Sequence, residues 1–238
     1  MRFWLLSPLL AVVLYSCGPT TTPVSQAKQQ PVIFYEAKSV ADIFPVSEGN
    51  AWTYSVEVEQ YSQSGVRRGT GEQTNKVVKI RQVQGGKEAD IQMLNAKNEP
   101  IGVMTIRVTD KGLYQLGVKG GNRSLSPDSP QPICLWPLKT GRTVTWKGKA
   151  LMPGTPAIGA IVMTVEMKGE YETDTPAGRF RAYRVDVTQK YRYQGTDYQT
   201  NQVMWFTPKV GLVKTQERIV SPKGVNVFMM SLKSHTIK

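Results

Sequence analysis

Histidine and cysteine are nearly absent from this chain. Its 238 residues include one histidine, His235, and two cysteines, Cys17 and Cys134. That scarcity excludes the paired His and Cys spacings from which zinc sites are built. No HExxH, no Gly-x-Ser-x-Gly elbow and no phosphate-cradling glycine loop occurs either. A Ser-His-Asp arrangement would have to recruit His235, near the chain end, where chains usually fray. The expectation is a non-catalytic protein with no cofactor and no metal site. Only carboxylate chemistry stays open, because the sequence spacing of acids says little about their geometry.

Long apolar runs are also missing. The one apolar stretch, Phe3 to Leu14 behind Arg2, is short of the roughly 20 residues that span a bilayer, so it reads as a secretory signal peptide. It ends in "LYSC", which resembles the lipobox of bacterial lipoproteins, with Leu14, Ser16 and the acceptor Cys17 in place and Tyr15 departing from the usual small or aliphatic residue. The resemblance implies removal of residues 1–16 and lipid attachment at Cys17, an anchor of several acyl chains at about 0.8 kcal/mol per buried methylene. The alternative is a plain secreted protein. Residues 17–31 are rich in Thr, Gln and Pro and read as a flexible tether of roughly 20 Å span. Ser25 and Lys28 match the Ser-x-x-Lys pattern of penicillin-binding enzymes, but in a tether without partner motifs the match is coincidental.

Acids are scarce relative to bases, 18 against 30, for a formal charge of +12, or +11 once Arg2 is removed with the signal peptide. Such a surplus favours phospholipid headgroups, anionic wall polymers or acidic envelope proteins. Export argues against nucleic acid. With Cys17 lipidated, Cys134 in "PICLWP" has no disulfide partner and is expected to be a buried hydrophobe.

What the chain does have is alternation. "AWTYSVEVEQY" places Trp52, Tyr54, Val56 and Val58 on one face, the pattern of a half-buried strand. Hairpin turns are expected at Asp110 to Gly112, Thr175 to Gly178, Gln194 to Asp197, Pro208 to Gly211 and 221–224. In the second, Asp174 should face Arg179 and Glu172 face Arg181, so that Glu170, Glu172 and Asp174 are solvated ion-pair partners rather than a metal or acid-base cluster. In the third, Tyr193 should face Tyr198, with Lys190 to Tyr193 forming an open basic and aromatic face. "VNVFMMSLKS" is apolar on both faces and reads as a strand that is central, or covered on both sides. Helix is confined to one turn at "SVADIF", and "ALMPGTPAIGA" (150–160) reads as an apolar loop, a candidate lip over a binding face.

"FPVSEGNAWTY" (44–54) is echoed by "WPLKTGRTVTW" (136–146), and "VMTIRVTDKGLYQ" by "VMWFTPKVGLVKTQ". Each opening has an aromatic-Pro pair and a glycine, Gly49 or Gly141, free to take positive φ and launch a strand. The echo raises two related halves, about 40–135 and 136–238, within one domain over 32–238.

"FPVSEGNAWTY", "TPAGRFRAYRVDV" and "FTPKVGLVKTQ", in this order behind a lipobox, resemble a group of bacterial lipoprotein domains with a curved antiparallel sheet similar to the LolA/LolB half-barrels. The resemblance implies an all-β half-barrel of about 10–12 strands, anchored to the cell membrane or outer membrane, with an apolar or lipid-like ligand on the concave face. No ligand-contacting residue is carried over from it. The alternative is a structural or adaptor lipoprotein that docks an envelope complex or anionic polymer through a basic sheet face.

Overall fold

The computed structural model describes residues 31–121, 123–153, 157–222 and 224–238. The expected signal peptide, Cys17 and the tether through Gln30 lie outside the described residues. The elements are β1 (Val32–Ile33), α1 (Val40–Ile43), β2 (Ala51–Ser62), β3 (Gly65–Val83), β4 (Gly86–Asn95), β5 (Pro100–Thr109), β6 (Gly112–Gly120), β7 (Arg123–Leu125), β8 (Gln131–Leu135), β9 (Thr143–Leu151), β10 (Ile158–Thr175), β11 (Gly178–Tyr193), β12 (Thr196–Thr207), β13 (Gly211–Ser221) and β14 (Gly224–Thr236).

Twelve strands follow one another in the order β7-β6-β5-β4-β3-β2-β14-β13-β12-β11-β10-β9, with β8 added to β6 and β1 to β11. The pairing is antiparallel throughout except at the two-residue β1. The fold is therefore the all-β antiparallel sheet expected from the alternation, with the strong curvature that the resemblance implied, and it curls nearly into a barrel. Bulges on β3 (between Val77 and Lys79) and β10 (between Met167 and Gly169) sharpen the curl by increasing local twist. The remaining gap, between β6 and β9, is bridged from both sides. β8 pairs with β6, while Asp128 N donates to Lys149 O, Lys149 N donates to Asp128 Oδ2, and Trp146 Nε1 donates to Ser129 Oγ, each at 3.0 Å.

One end of the barrel is sealed. The short α1 is set by a capping box, in which Ser39 Oγ accepts from Asp42 N and the Asp42 carboxylate accepts from Ser39 N. It delivers Phe44 onto Trp52, with ring centroids 5.2 Å apart. Trp52 Nε1 donates to Val210 O and Tyr54 Oη to Leu212 O, tying the plug to the β12–β13 corner. The tip of the long β10–β11 hairpin folds over the same end, where Ala177 N donates to Leu232 O.

The two echoed openings make the same bonds. Gly49 N donates to Val77 O, Val77 N to Asn50 O and Asn50 N to Ser47 O; in parallel, Gly141 N donates to Met167 O, Met167 N to Arg142 O and Arg142 N to Lys139 O. Gly49 and Gly141 adopt φ of 87° and 80°, as the launch of each strand requires. In both corners the aromatic lead-in meets the other half: Lys209 N bonds Asp42 O, and Trp136 N bonds Lys111 O.

Several hairpin details differ from expectation. The Thr175 to Gly178 turn is tighter, with Thr175 and Gly178 already paired, yet the register Glu172–Arg181 and Asp174–Arg179 holds. The shorter of the ion pairs runs diagonally, and the straight Asp174–Arg179 pair is the longer. Arg179 contacts Glu172 at 2.6 Å and Asp174 at 3.9 Å, while Arg181 lies over the Phe34 ring. At the next turn Gln194 and Gly195 both take positive φ, which makes a two-residue loop. Tyr193 therefore pairs with Thr196, and it is Tyr191 that faces Tyr198. His235 is not frayed: it pairs with Trp52 at the end of β14, and Lys238 N donates to Asn50 Oδ1. β14 is central, but only its inner face is well covered, since Val225, Val227 and Met229 are half-exposed on the outside.

Candidate functional site

Period-two alternation sends every second side chain of these strands into the barrel. Near the sealed end the interior is solid, with Trp52, Tyr54, Val213 and Leu232 almost wholly buried. Further along, it is not filled. A cavity of about 340 Å³ runs from Phe44, Phe206 and Leu212 towards Gln189, Glu217 and Phe228. That volume is at the lower end of ordinary small-ligand sites and equals about ten water molecules.

The lining has a peculiar composition. Five methionines (Met93, Met104, Met163, Met204, Met230) alternate with five glutamines (Gln73, Gln115, Gln131, Gln189, Gln202), together with Asn75 and Thr215. Methionine is flexible and polarizable, so it adapts to varied apolar shapes. Some of the amides satisfy one another or weak acceptors. Gln73 Nε2 donates to Asn75 Oδ1 at 2.8 Å, Gln202 Nε2 to Thr215 Oγ1 at 3.3 Å, and Gln131 Nε2 to the Met163 sulfur at 3.4 Å. Gln189 is 8% exposed and its Oε1 has no hydrogen-bond partner among the described residues.

Glu217 is the one titratable side chain among the lining residues, which include no Lys, Arg or His. Its cross-strand neighbours are Gln202 on β12 and Phe228 on β14, both of which also line the cavity. No ion pair or hydrogen bond to its carboxylate is found among the described residues. Burial alone pushes its pKa up.

The opposite end of the barrel is formed by the tips of the β2–β3, β4–β5 and β11–β12 hairpins. Tyr191 and Tyr198 stack there, with centroids 5.2 Å and planes 3° apart, and Tyr191 Oη donates to Pro153 O. The expected open aromatic face is thus divided, with Tyr191 buried and Lys190 and Arg192 outward. Residues 154–156 of the expected lip lie outside the described residues. The flanking Leu151 and Ile158 are paired, and no described residue of 150–160 is among those lining the cavity. At this end Tyr61, Val66, Ile101 and Ile158 are exposed near the hairpin tips. On the outer sheet, exposed Val162 lies between Lys147 and Lys190, its Cα partners on either side, a pairing of apolar and cationic groups that suits anionic surfaces.

The residues singled out in advance are scattered. Cys134 is buried, its thiol pushed up to about 12 by desolvation, which makes it inert. Glu170, Glu172 and Asp174 lie on the outside of β10, and no group of three acidic, His or Cys side chains able to hold a metal occurs among the described residues. Sequence reasoning missed Glu217 and the glutamines. The signal was available, since Gln202 alternates with Met204 on the inward face of β12, but polar inward positions read as the solvent face.

No protein-family model and no curated protein matches the chain. Among solved structures, a protein described as a lipoprotein from Parabacteroides distasonis ATCC 8503 aligns with 82% of this chain and 98% of its own, at 14% identity and a TM-score of 0.51. An exported protein with YmcC-like fold from Bacteroides fragilis NCTC 9343 covers the same shares at 12% identity and a TM-score of 0.43. The hypothetical lipoprotein YmcC from Escherichia coli K12 aligns over 76% of this chain and 84% of its own, at 12% identity and a TM-score of 0.35. The first of these likenesses shows a shared fold; a LolA/LolB relationship is not among the similarities found.

Proposed function

We propose that the protein is a non-catalytic lipoprotein of the cell envelope, held by lipid at Cys17, whose barrel binds a small amphiphilic ligand. The observation that carries this reading is the unfilled cavity of about 340 Å³ lined by five methionines and five glutamines. A core that served stability alone would close such a space, because each cavity costs about 24 cal/mol per Å³. The buried Gln189 Oε1, without a partner among the described residues, adds to that cost. A ligand with an apolar body and polar groups relieves both. The volume suits a ligand of a single short chain or ring system. The apolar side chains near the hairpin tips and the lysines of the outer sheet support an arrangement in which that end faces an anionic membrane surface.

Mass spectrometry of protein purified from its native envelope tests both parts. The expected result is an acyl-modified Cys17 in the intact mass and one recurrent small molecule in the organic extract. Repeated extraction that yields no bound molecule from folded protein would overturn the binding function, and an unmodified Cys17 would overturn the anchor.

A further inference from the structure

The cavity is unusual in what it leaves unpaired. Among the described residues its buried Gln189 Oε1 is an acceptor with no donor, and Glu217 is a carboxylate with no cation. Both groups ask for hydrogen on the ligand. Phe228, directly across from Glu217, adds an aromatic wall to the same part of the cavity. A carboxylate beside an aromatic ring is the pairing that recognises ammonium groups, through charge and through the negative face of the ring.

The same geometry disfavours the other common amphiphiles. A fatty acid or a phospholipid headgroup would bring a second negative charge beside Glu217, with no lining cation to balance it. Lysines on the outer sheet do not change this, because they point to solvent while Glu217 points inward. The outer surface and the cavity therefore select opposite charges.

From this geometry we infer that the ligand of the barrel is a cationic amphiphile, an amine or quaternary ammonium on a short apolar body, with its ammonium at Glu217 beside Phe228 and its body among the methionines. The inference rests on the ligand-binding reading above. Within the barrel, Glu217 is faced by Gln202 from β12, Phe228 from β14 and Gln189 and Tyr191 from β11, and Tyr191 is the titratable group that feels its charge. Nothing in this set neutralises the carboxylate, so the ligand supplies the counter-charge.

The test uses the full chain with a neutral polarity-sensitive dye in the cavity, displaced by n-octylamine, n-octanol or n-octanoate at neutral pH. One charge-assisted hydrogen bond predicts that the amine displaces the dye about tenfold more tightly than the alcohol, with the carboxylate weakest. Glu217→Gln should bring amine and alcohol to within about twofold of each other, chiefly by weakening the amine. Phe228→Leu should reduce the amine preference only in part. The unsubstituted protein supplies an independent control, because acidification protonates Glu217 and should remove the amine preference without altering octanol affinity. Equal displacement by amine and alcohol, or a preference that survives Glu217→Gln, overturns the inference and leaves the binding function standing. Failure of all three octyl compounds to displace the dye overturns both.

Discussion

Glu217 concentrates the account at the scale of one residue. A carboxyl whose pKa is raised by burial binds its proton more tightly in the folded chain than in the unfolded one. Stability then falls as pH rises from the ordinary carboxylate value of 4.5 through the raised value, and the cost persists above it. Glu217→Gln removes that cost. Thermal unfolding without ligand should show the variant and parent equal at pH 4, with the variant ahead by about 2–4 °C at pH 8, the shift that about 1 kcal/mol gives in a chain of this size. A variant less stable than the parent at pH 8 would mean that Glu217 has a partner in the fold and is not waiting for one. Glu217 was illegible in the sequence for a physical reason. "VKTQERIV" offers Gln216, Glu217 and Arg218 in a row, and only the register of β13 against Gln202 and Phe228 decides which of them points inward. Cys134, by contrast, was legible, because its apolar neighbours left burial as the simplest fate.

At the scale of elements, the corners show how much a short stretch can specify. Gly49 and Gly141 were readable as positive-φ positions from their place between an aromatic-Pro pair and an alternating strand, and both have that conformation. Gly141 is the cleaner position to test, since a Cβ added there meets nothing within 4 Å, whereas at Gly49 it meets the Lys238 side chain. Gly141→Ala should therefore cost about 1–2 kcal/mol, the left-handed penalty alone, in denaturant unfolding with an unchanged m-value. A neutral result would show that the corner relaxes to negative φ and that its three backbone bonds do not set the launch of β9. Turn lengths were less readable than turn positions. At "TPAG" a two-residue and a four-residue loop share one register, whereas the turn at "YQGT" sits one residue earlier than expected and moves the partner of Tyr198 by two positions, which is how Tyr191 rather than Tyr193 came to stack on Tyr198. Whether a charged pair closes straight or diagonally depends on strand twist, as with Arg179 and Glu172, and twist is not written in the letters.

For the whole molecule, alternation and turn residues sufficed to read an all-β antiparallel sheet, its curvature came from the family resemblance, and the antiparallel path of twelve strands bears the sheet out. The near closure was not readable, because it depends on residues 128 and 129 reaching across to β9 in a segment that looks like an ordinary loop. Nor was the cavity, since an unfilled space is a property of side chains from ten strands taken together. The methionines allow it to be tested directly. Five of them line the cavity, whereas Met152 is buried near the β9–β10 turn, Met167 is buried outside the lining and Met229 faces outward on β14. With the methionine methyl groups carrying carbon-13, titration with n-octanol reads each position by NMR. The account predicts saturable shifts at Met93, Met104, Met163, Met204 and Met230, with Met152, Met167 and Met229 unmoved. Shifts confined to Met152 or Met229, or no saturable shift at the five, would contradict it.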